Sequence, residues 1–128
     1  SFYRKCRKKK GRMDWKKEQS LGMYFYDEIW DLILNAKWKK NFWPGCFVDW
    51  DNTPRNKHGV MVSGFSVEKF AEYMKILVQR AEKEEKPVIF INAWNEWGEG
   101  NYMEPDLKYG RGYIDALAKA IHDSENEK

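Results

Sequence analysis

The 128 residues, 42% hydrophobic and 34% charged, match one soluble globular domain with its own core, too short for two domains and too apolar for a disordered chain. The net charge of +3 is mild, and no run nears the roughly 18 consecutive apolar residues that span a bilayer. Seven Trp and an aromatic fraction of 16% are high, and surplus Trp either fills a core or stacks on flat ligands.

The chain opens on Arg4-Lys5-Cys6-Arg7-Lys8-Lys9-Lys10-Gly11-Arg12, which holds most of the excess charge. Such a run is either a solvated, disordered end or a nucleic-acid patch. Elsewhere basic and aromatic residues do not alternate at a regular spacing. Residues 1–12 are therefore read as a disordered basic end, and nucleic-acid binding is kept only as an alternative. Cys6 and Cys46 have no CxxC spacing, and His58 and His122 are the only histidines. They are read as free thiols of a reducing compartment, with no metal and no cofactor expected. Ser1-Phe2-Tyr3 shows no signal-peptide pattern.

Tyr26, Ile29, Trp30, Ile33 and Leu34 recur at helical spacing, extended to Trp38, with Asp27 and Glu28 in the first turn. The stretch 42–50 reads as a turn and a short strand, and 51–56 as a polar loop. Ser66 is a good N-cap for a second helix with Val67, Phe70, Met74, Leu77, Val78 and Ala81 on one face. Residues 88–93 open on the unbroken apolar run 88–91, which suits a strand buried on both faces of a parallel sheet. Tyr113, Ile114, Leu117, Ala118 and Ile121 mark a third helix after Gly110 and Gly112. Helix, strand, loop, helix, strand, loop, helix is the alternation of a βα-repeating fold. A whole (β/α)₈ barrel needs about 250 residues. The fold class expected is α/β, the C-terminal portion of a TIM-type barrel, with parallel strands alternating with helices. Residues 1–128 are read as a single fragment of that domain. Its expected partner is the rest of the barrel or a second copy.

Both polar loops follow strands, which is the functional end of such a barrel. The richer one is Trp94-Asn95-Glu96-Trp97-Gly98-Glu99-Gly100. Gly98 and Gly100 allow a turn that brings Glu96 and Glu99 to one side. Two crowded carboxylates cannot both ionise easily, so one becomes a proton donor and the other a base. Alternatively, a Glu here only holds loop amides. Trp94 and Trp97 either stack on sugar rings or floor the loop, and Asn92 and Asn95 either bind hydroxyls or cap the turn. In the other loop Asp49, Asp51, Asn52 and Arg55 flank Trp50. Arg55 either grips an anion or pairs with Asp51. Tyr102 and Glu104 close the first loop, Glu104 reaching a sugar hydroxyl or fixing the backbone.

The motif Trp94-Asn95-Glu96-Trp97-Gly98-Glu99-Gly100, with Glu104-Pro105-Asp106 and Tyr109-Gly110 after it, resembles the C-terminal signature of the WbsX-like domain. That family is related to glycoside hydrolase family 99. The stretches Phe47-Val48-Asp49-Trp50-Asp51-Asn52-Thr53-Pro54-Arg55 and Tyr26-Asp27-Glu28-Ile29-Trp30 fit the same pattern. The resemblance implies a barrel that acts on glycosidic bonds without a metal. Glu96 would deprotonate a sugar 2-hydroxyl and Glu99 would serve as acid and then base. Trp94, Asn95, Trp97, Trp50, Asp51, Asn52, Arg55, Tyr102 and Glu104 would hold the glycan. It further implies a cytoplasmic bacterial enzyme of surface-polysaccharide metabolism, by transfer or by hydrolysis. A non-catalytic glycan-binding module is the first alternative, with no membrane span in any reading.

Overall fold

The computed structural model describes residues 22–126, so the basic segment 1–12 and Cys6 lie outside the described residues. Strand β1 (Gly22–Phe25) runs straight into helix α1 (Tyr26–Leu34), followed by β2 (Gly45–Phe47), β3 (Val60–Ser63) and α2 (Val67–Lys83). Then come β4 (Phe90–Asn92), β5 (Asn95–Glu96), a single 3₁₀ turn (Trp97–Glu99), β6 (Asn101–Tyr102) and α3 (Gly112–Asn126).

All three expected helices form. Ser66 caps α2, its Oγ accepting from Lys69 N–H at 3.2 Å, a cap worth about 1 kcal/mol. Phe70, Met74, Leu77 and Ala81 on its inner face are buried as the spacing requires. The Cys46 thiol meets Met74 Sδ at 3.4 Å, so this face lies on β2. Helix α1 stops at Leu34 and does not reach Trp38. Asn35 leaves the helical region and its Nδ2 donates to the Asp31 carbonyl and to Asp31 Oδ1, both at 2.8 Å. Arg80 from α2 then takes the carbonyls of Leu34 (2.6 Å) and Ala36 (2.7 Å), satisfying the orphan groups of the helix end. Trp38 packs under that guanidinium, 3.8 Å from its ring centre.

Of the five residues that mark α3, Tyr113 is buried and Leu117 packs against the core. Tyr113, Ala116, Ala120 and Ser124 point inward, whereas Ala118 and Ile121 are exposed. The helix packs against α2, and small residues at the crossing let the two backbones approach.

Strands β2 and β4 pair in parallel, Gly45 with Phe90, Cys46 with Ile91 and Phe47 with Asn92, as adjacent barrel-type strands should. Each is shorter than the apolar run that announces it. The second parallel pair, β1 with β3 from Gly22–Val60 to Phe25–Ser63, is an addition to the expected pattern. The stretch 88–93 is not buried on both faces, since Phe90 is 62% exposed. Among the described residues β4 has a hydrogen-bonded neighbour on one side alone, so its other edge is open. The architecture is mixed α/β, with parallel strand pairs and helices. Its core gathers Tyr26, Trp30, Val48, Phe70, Met74 and Leu77, each worth about 1.5–3 kcal/mol when fully buried. Tyr26 O–H donates to the Val48 carbonyl at 2.8 Å, which ties α1 to the end of β2. Burial pushes the Cys46 thiol up to about 12, so it stays an inert, protonated core group.

Candidate active site

The loops leaving the C-terminal ends of β2 and β4 lie side by side because their backbones are bonded. Val48 N–H points to the Asn92 carbonyl (3.2 Å) and to Asn101 Oδ1 (3.4 Å), and Asp51 N–H donates to the Glu99 carbonyl at 2.8 Å. Gly100 makes this approach possible. Its φ is +59°, and a Cβ there would stand 3.1 Å from Asp51 N and 3.2 Å from Asp51 O. Gly98 serves another purpose than the expected flexibility. A Cβ on it would meet Arg55 Nη1 at 3.1 Å, so its missing side chain makes room for the guanidinium.

The acidic motif folds as a small hairpin. Asn95 pairs with Tyr102 and Glu96 with Asn101, and the 3₁₀ turn at 97–99 forms the tip. Glu96 and Asn95 are exposed on β5. Glu99 is more enclosed, its side chain 19% exposed, and it forms an ion pair with Arg55, which is 58% exposed. Arg55 therefore pairs with the acid of the other loop and not with Asp51. Asp51 Oδ1 accepts instead from Thr53 N–H (3.0 Å) and Thr53 Oγ1 (2.6 Å), an Asx turn. Asn52 Oδ1 accepts from Val60 N–H at 2.7 Å and fastens the loop to β3. Trp50 is half-buried, packed against the core, with its carbonyl accepting from Val62 N–H at 2.7 Å. In this loop Asp51, Asn52 and Trp50 shape the frame and Arg55 faces the acids.

Two indoles stand open beside them. Trp94 is 54% exposed and Trp97 47%. Trp97 stacks on Tyr102 at 3.7 Å with 15° between the rings, and its Nε1–H donates to Glu104 Oε2 at 2.5 Å. Tyr102 in turn donates to Asp106 Oδ2 (2.9 Å) and meets Tyr113 edge-on at 5.6 Å. Burial, with Asp106 beside it, pushes the Tyr102 phenol up to about 12. Glu104 thus fixes Trp97, which remains about half exposed. Tyr113 and the fully buried Asn101 complete this wall. The sequence pointed to neither as a site residue, since a Tyr in an amphipathic helix and an Asn after a glycine look like ordinary structure. Among the described residues no cluster of three or more His, Cys, Asp or Glu could hold a metal.

Asp49, just past the end of β2, has its carboxyl raised, chiefly by burial, with the Trp50 N–H at 2.8 Å and Lys108 opposing and Asp51 adding to it. The folded state then keeps this proton after the unfolded state has lost it at the ordinary value of 3.8. Stability contributed by this group therefore falls as pH rises from there through the raised value, and stays reduced above it. Asp49→Asn is expected to raise the urea midpoint at pH 7 and to flatten the pH dependence. Urea titrations at pH 4 and 7 measure this, and a lower midpoint for the variant at pH 7 would contradict it.

Parallel strand pairs with helices, and acids and open indoles in the loops at the strand ends, define a mixed α/β protein. The family model described as Glycosyltransferase WbsX matches residues 2–117, and the chain belongs to that family. It is also similar to an uncharacterized protein, WxcX, from two strains of Xanthomonas campestris pv. campestris, B100 and ATCC 33913. Each is 34% identical over 83 residues, which is 62% of this chain and 12% of the relative. The chain thus corresponds to a small part of those proteins' length. No solved structure matches.

Proposed function

We propose that the chain supplies the C-terminal βα units of a (β/α)₈ barrel enzyme that makes or breaks glycosidic bonds. The observation that carries this reading is the hairpin at the end of β4, which sets Glu96 and Glu99 beside the half-exposed Trp94 and Trp97. The open face of Phe90 is where further strands, or a second copy, would sit. The glycan lies with its rings on Trp97 and Trp94, where stacking area fixes its orientation.

Glu96 takes the proton of the sugar 2-hydroxyl, whose oxygen attacks the anomeric carbon. The bond to the leaving oxygen breaks as Glu99 donates its proton to that oxygen, giving a 1,2-anhydro sugar. Glu99, now a carboxylate, takes a proton from water or an acceptor hydroxyl. That oxygen attacks the anomeric carbon, the bond to O2 opens, and O2 recovers its proton from Glu96. Configuration is retained, and no step calls for a metal or cofactor. The mechanism requires Arg55, the more exposed partner of the pair, to swing off Glu99 as substrate enters, because a guanidinium beside the carboxyl favours its ionised form. The setting that fits this chemistry is bacterial surface-polysaccharide metabolism in the cytoplasm, with a glycan as substrate.

Incubation of the protein with oligosaccharides and sugar donors, with products read by mass spectrometry, tests the reading. A new or broken glycosidic bond, lost in Glu96→Gln, supports it. Trp97→Ala is expected to weaken glycan binding about tenfold through lost stacking. Binding seen in Trp fluorescence with no bond made or broken would leave a glycan-binding module instead.

A further inference from the structure

The α1–β2 connection, residues 35–44, holds Lys37, Trp38, Lys39, Lys40, Phe42 and Trp43, and the proposed chemistry uses none of them. Phe90 N–H donates to the Pro44 carbonyl at 2.9 Å, so this loop sits at the starting ends of β2 and β4, opposite the acid loops. Lys37, Lys39 and Lys40 are exposed, and among the described residues none pairs with a carboxylate. Phe42 and Trp43 are also exposed, 43% and 45%.

The loop is braced from behind. Arg80 holds the Leu34 and Ala36 carbonyls, and Lys86 Nζ donates to the carbonyls of Lys39 and Lys40, both at 2.8 Å. The Phe42 N–H closes a turn on the Lys39 carbonyl at 3.0 Å. A hollow of about 250 Å³, lined by apolar residues including Ile29, Leu32, Ile33 and Phe42, opens alongside. Three exposed lysines that pair with no carboxylate among the described residues, around two exposed aromatic rings on a loop braced through its carbonyls, match the chemistry of a membrane interface.

We propose that this loop seats the protein on an anionic lipid bilayer. Lys37, Lys39 and Lys40 lie against the headgroup phosphates, and Phe42 and Trp43 enter the boundary of the acyl region. The acid loops then face away from the bilayer. A single-stranded nucleic acid fits the loop less well, because it needs free ring faces for stacking. Arg80 already covers the Trp38 face, and Lys86 stands 5.8 Å from the Trp43 ring centre.

Each lysine near an anionic surface strengthens binding by roughly fivefold. Sedimentation with vesicles of phosphatidylglycerol mixed with phosphatidylcholine should therefore carry the chain down, and pure phosphatidylcholine should not. The pair Lys39→Glu with Lys40→Glu, and the pair Phe42→Ser with Trp43→Ser, should each lower the partition at least tenfold. The melting curve of the lysine pair should match the parent's, since the bracing bonds at these positions use backbone carbonyls. Brominated lipid should quench the parent's Trp fluorescence more than that of Trp43→Phe. Replacing the basic residues of 1–12 by Ser should leave that quenching difference in place. Vesicle binding that survives both loop variants, or vanishes with the 1–12 variant alone, would overturn the proposal. So would loop variants that lose binding to a single-stranded oligonucleotide while keeping the vesicles.

Discussion

Glu99→Gln is expected to lower glycosidic turnover by roughly 10²–10⁴-fold while leaving glycan affinity within about threefold. The amide keeps the shape of the side chain and loses the proton that the leaving oxygen needs. It also keeps an oxygen that can accept from Arg55, so the two loops should remain joined through that contact and through Asp51 N–H on the residue 99 carbonyl. Rates at saturating substrate and a fluorescence titration with the same glycan separate the two effects. Arg55→Ala is the control, because it removes the ion pair and leaves the acid. A near-normal rate for Glu99→Gln would make the carboxylates loop scaffolding, and the glycan-binding reading would replace the enzymatic one.

Phe70→Ala is expected to destabilise the fold by about 3–5 kcal/mol, the range for emptying a buried aromatic site. Phe70 is fully buried and meets Trp30 edge-on at 6.3 Å, in the layer where α2 covers the strands. Domains have a total stability of only about 5–15 kcal/mol, so this single change should remove a large share of it. Urea unfolding followed by circular dichroism measures it as a lower midpoint with an unchanged slope. Leu107→Ala, at a fully exposed position, should shift stability by no more than about 0.5 kcal/mol. A cost under about 1 kcal/mol for Phe70→Ala would mean that α2 does not anchor the core.

The parts of the fold legible in the sequence are those with local causes. Ser66 and the four-residue recurrence of Phe70, Met74, Leu77 and Ala81 announce α2, because capping and helical period act within one or two turns. The adjacency of β2 and β4 was legible too, since a strand, a crossover helix and a second strand favour a parallel pair. The clustering of aromatic rings and acids after residue 93 marked the place where the β2 and β4 loops meet.

Other features depended on partners far along the chain. Four-residue strands such as β1 and β3 have too little pattern of their own and exist through the hydrogen bonds they exchange. Helix α1 looked longer than it is because its end is set by Arg80, a residue of α2. Which residues of α3 turn inward also rests on a distant partner, because close approach to α2 favours Ala116 and Ala120 over Ile121. In the candidate site, residue type alone left Arg55 free to take Asp51 or an anion. The backbone bond from Asp51 to Glu99 and the space above Gly98 bring its guanidinium to Glu99. The sequence by itself determined which side-chain types the loops carry and which segments are helical, because side-chain type and short-range periodicity are local. Only the tertiary structure decided which polar groups brace the loops and which stay exposed, because that choice rests on contacts between residues distant in the chain.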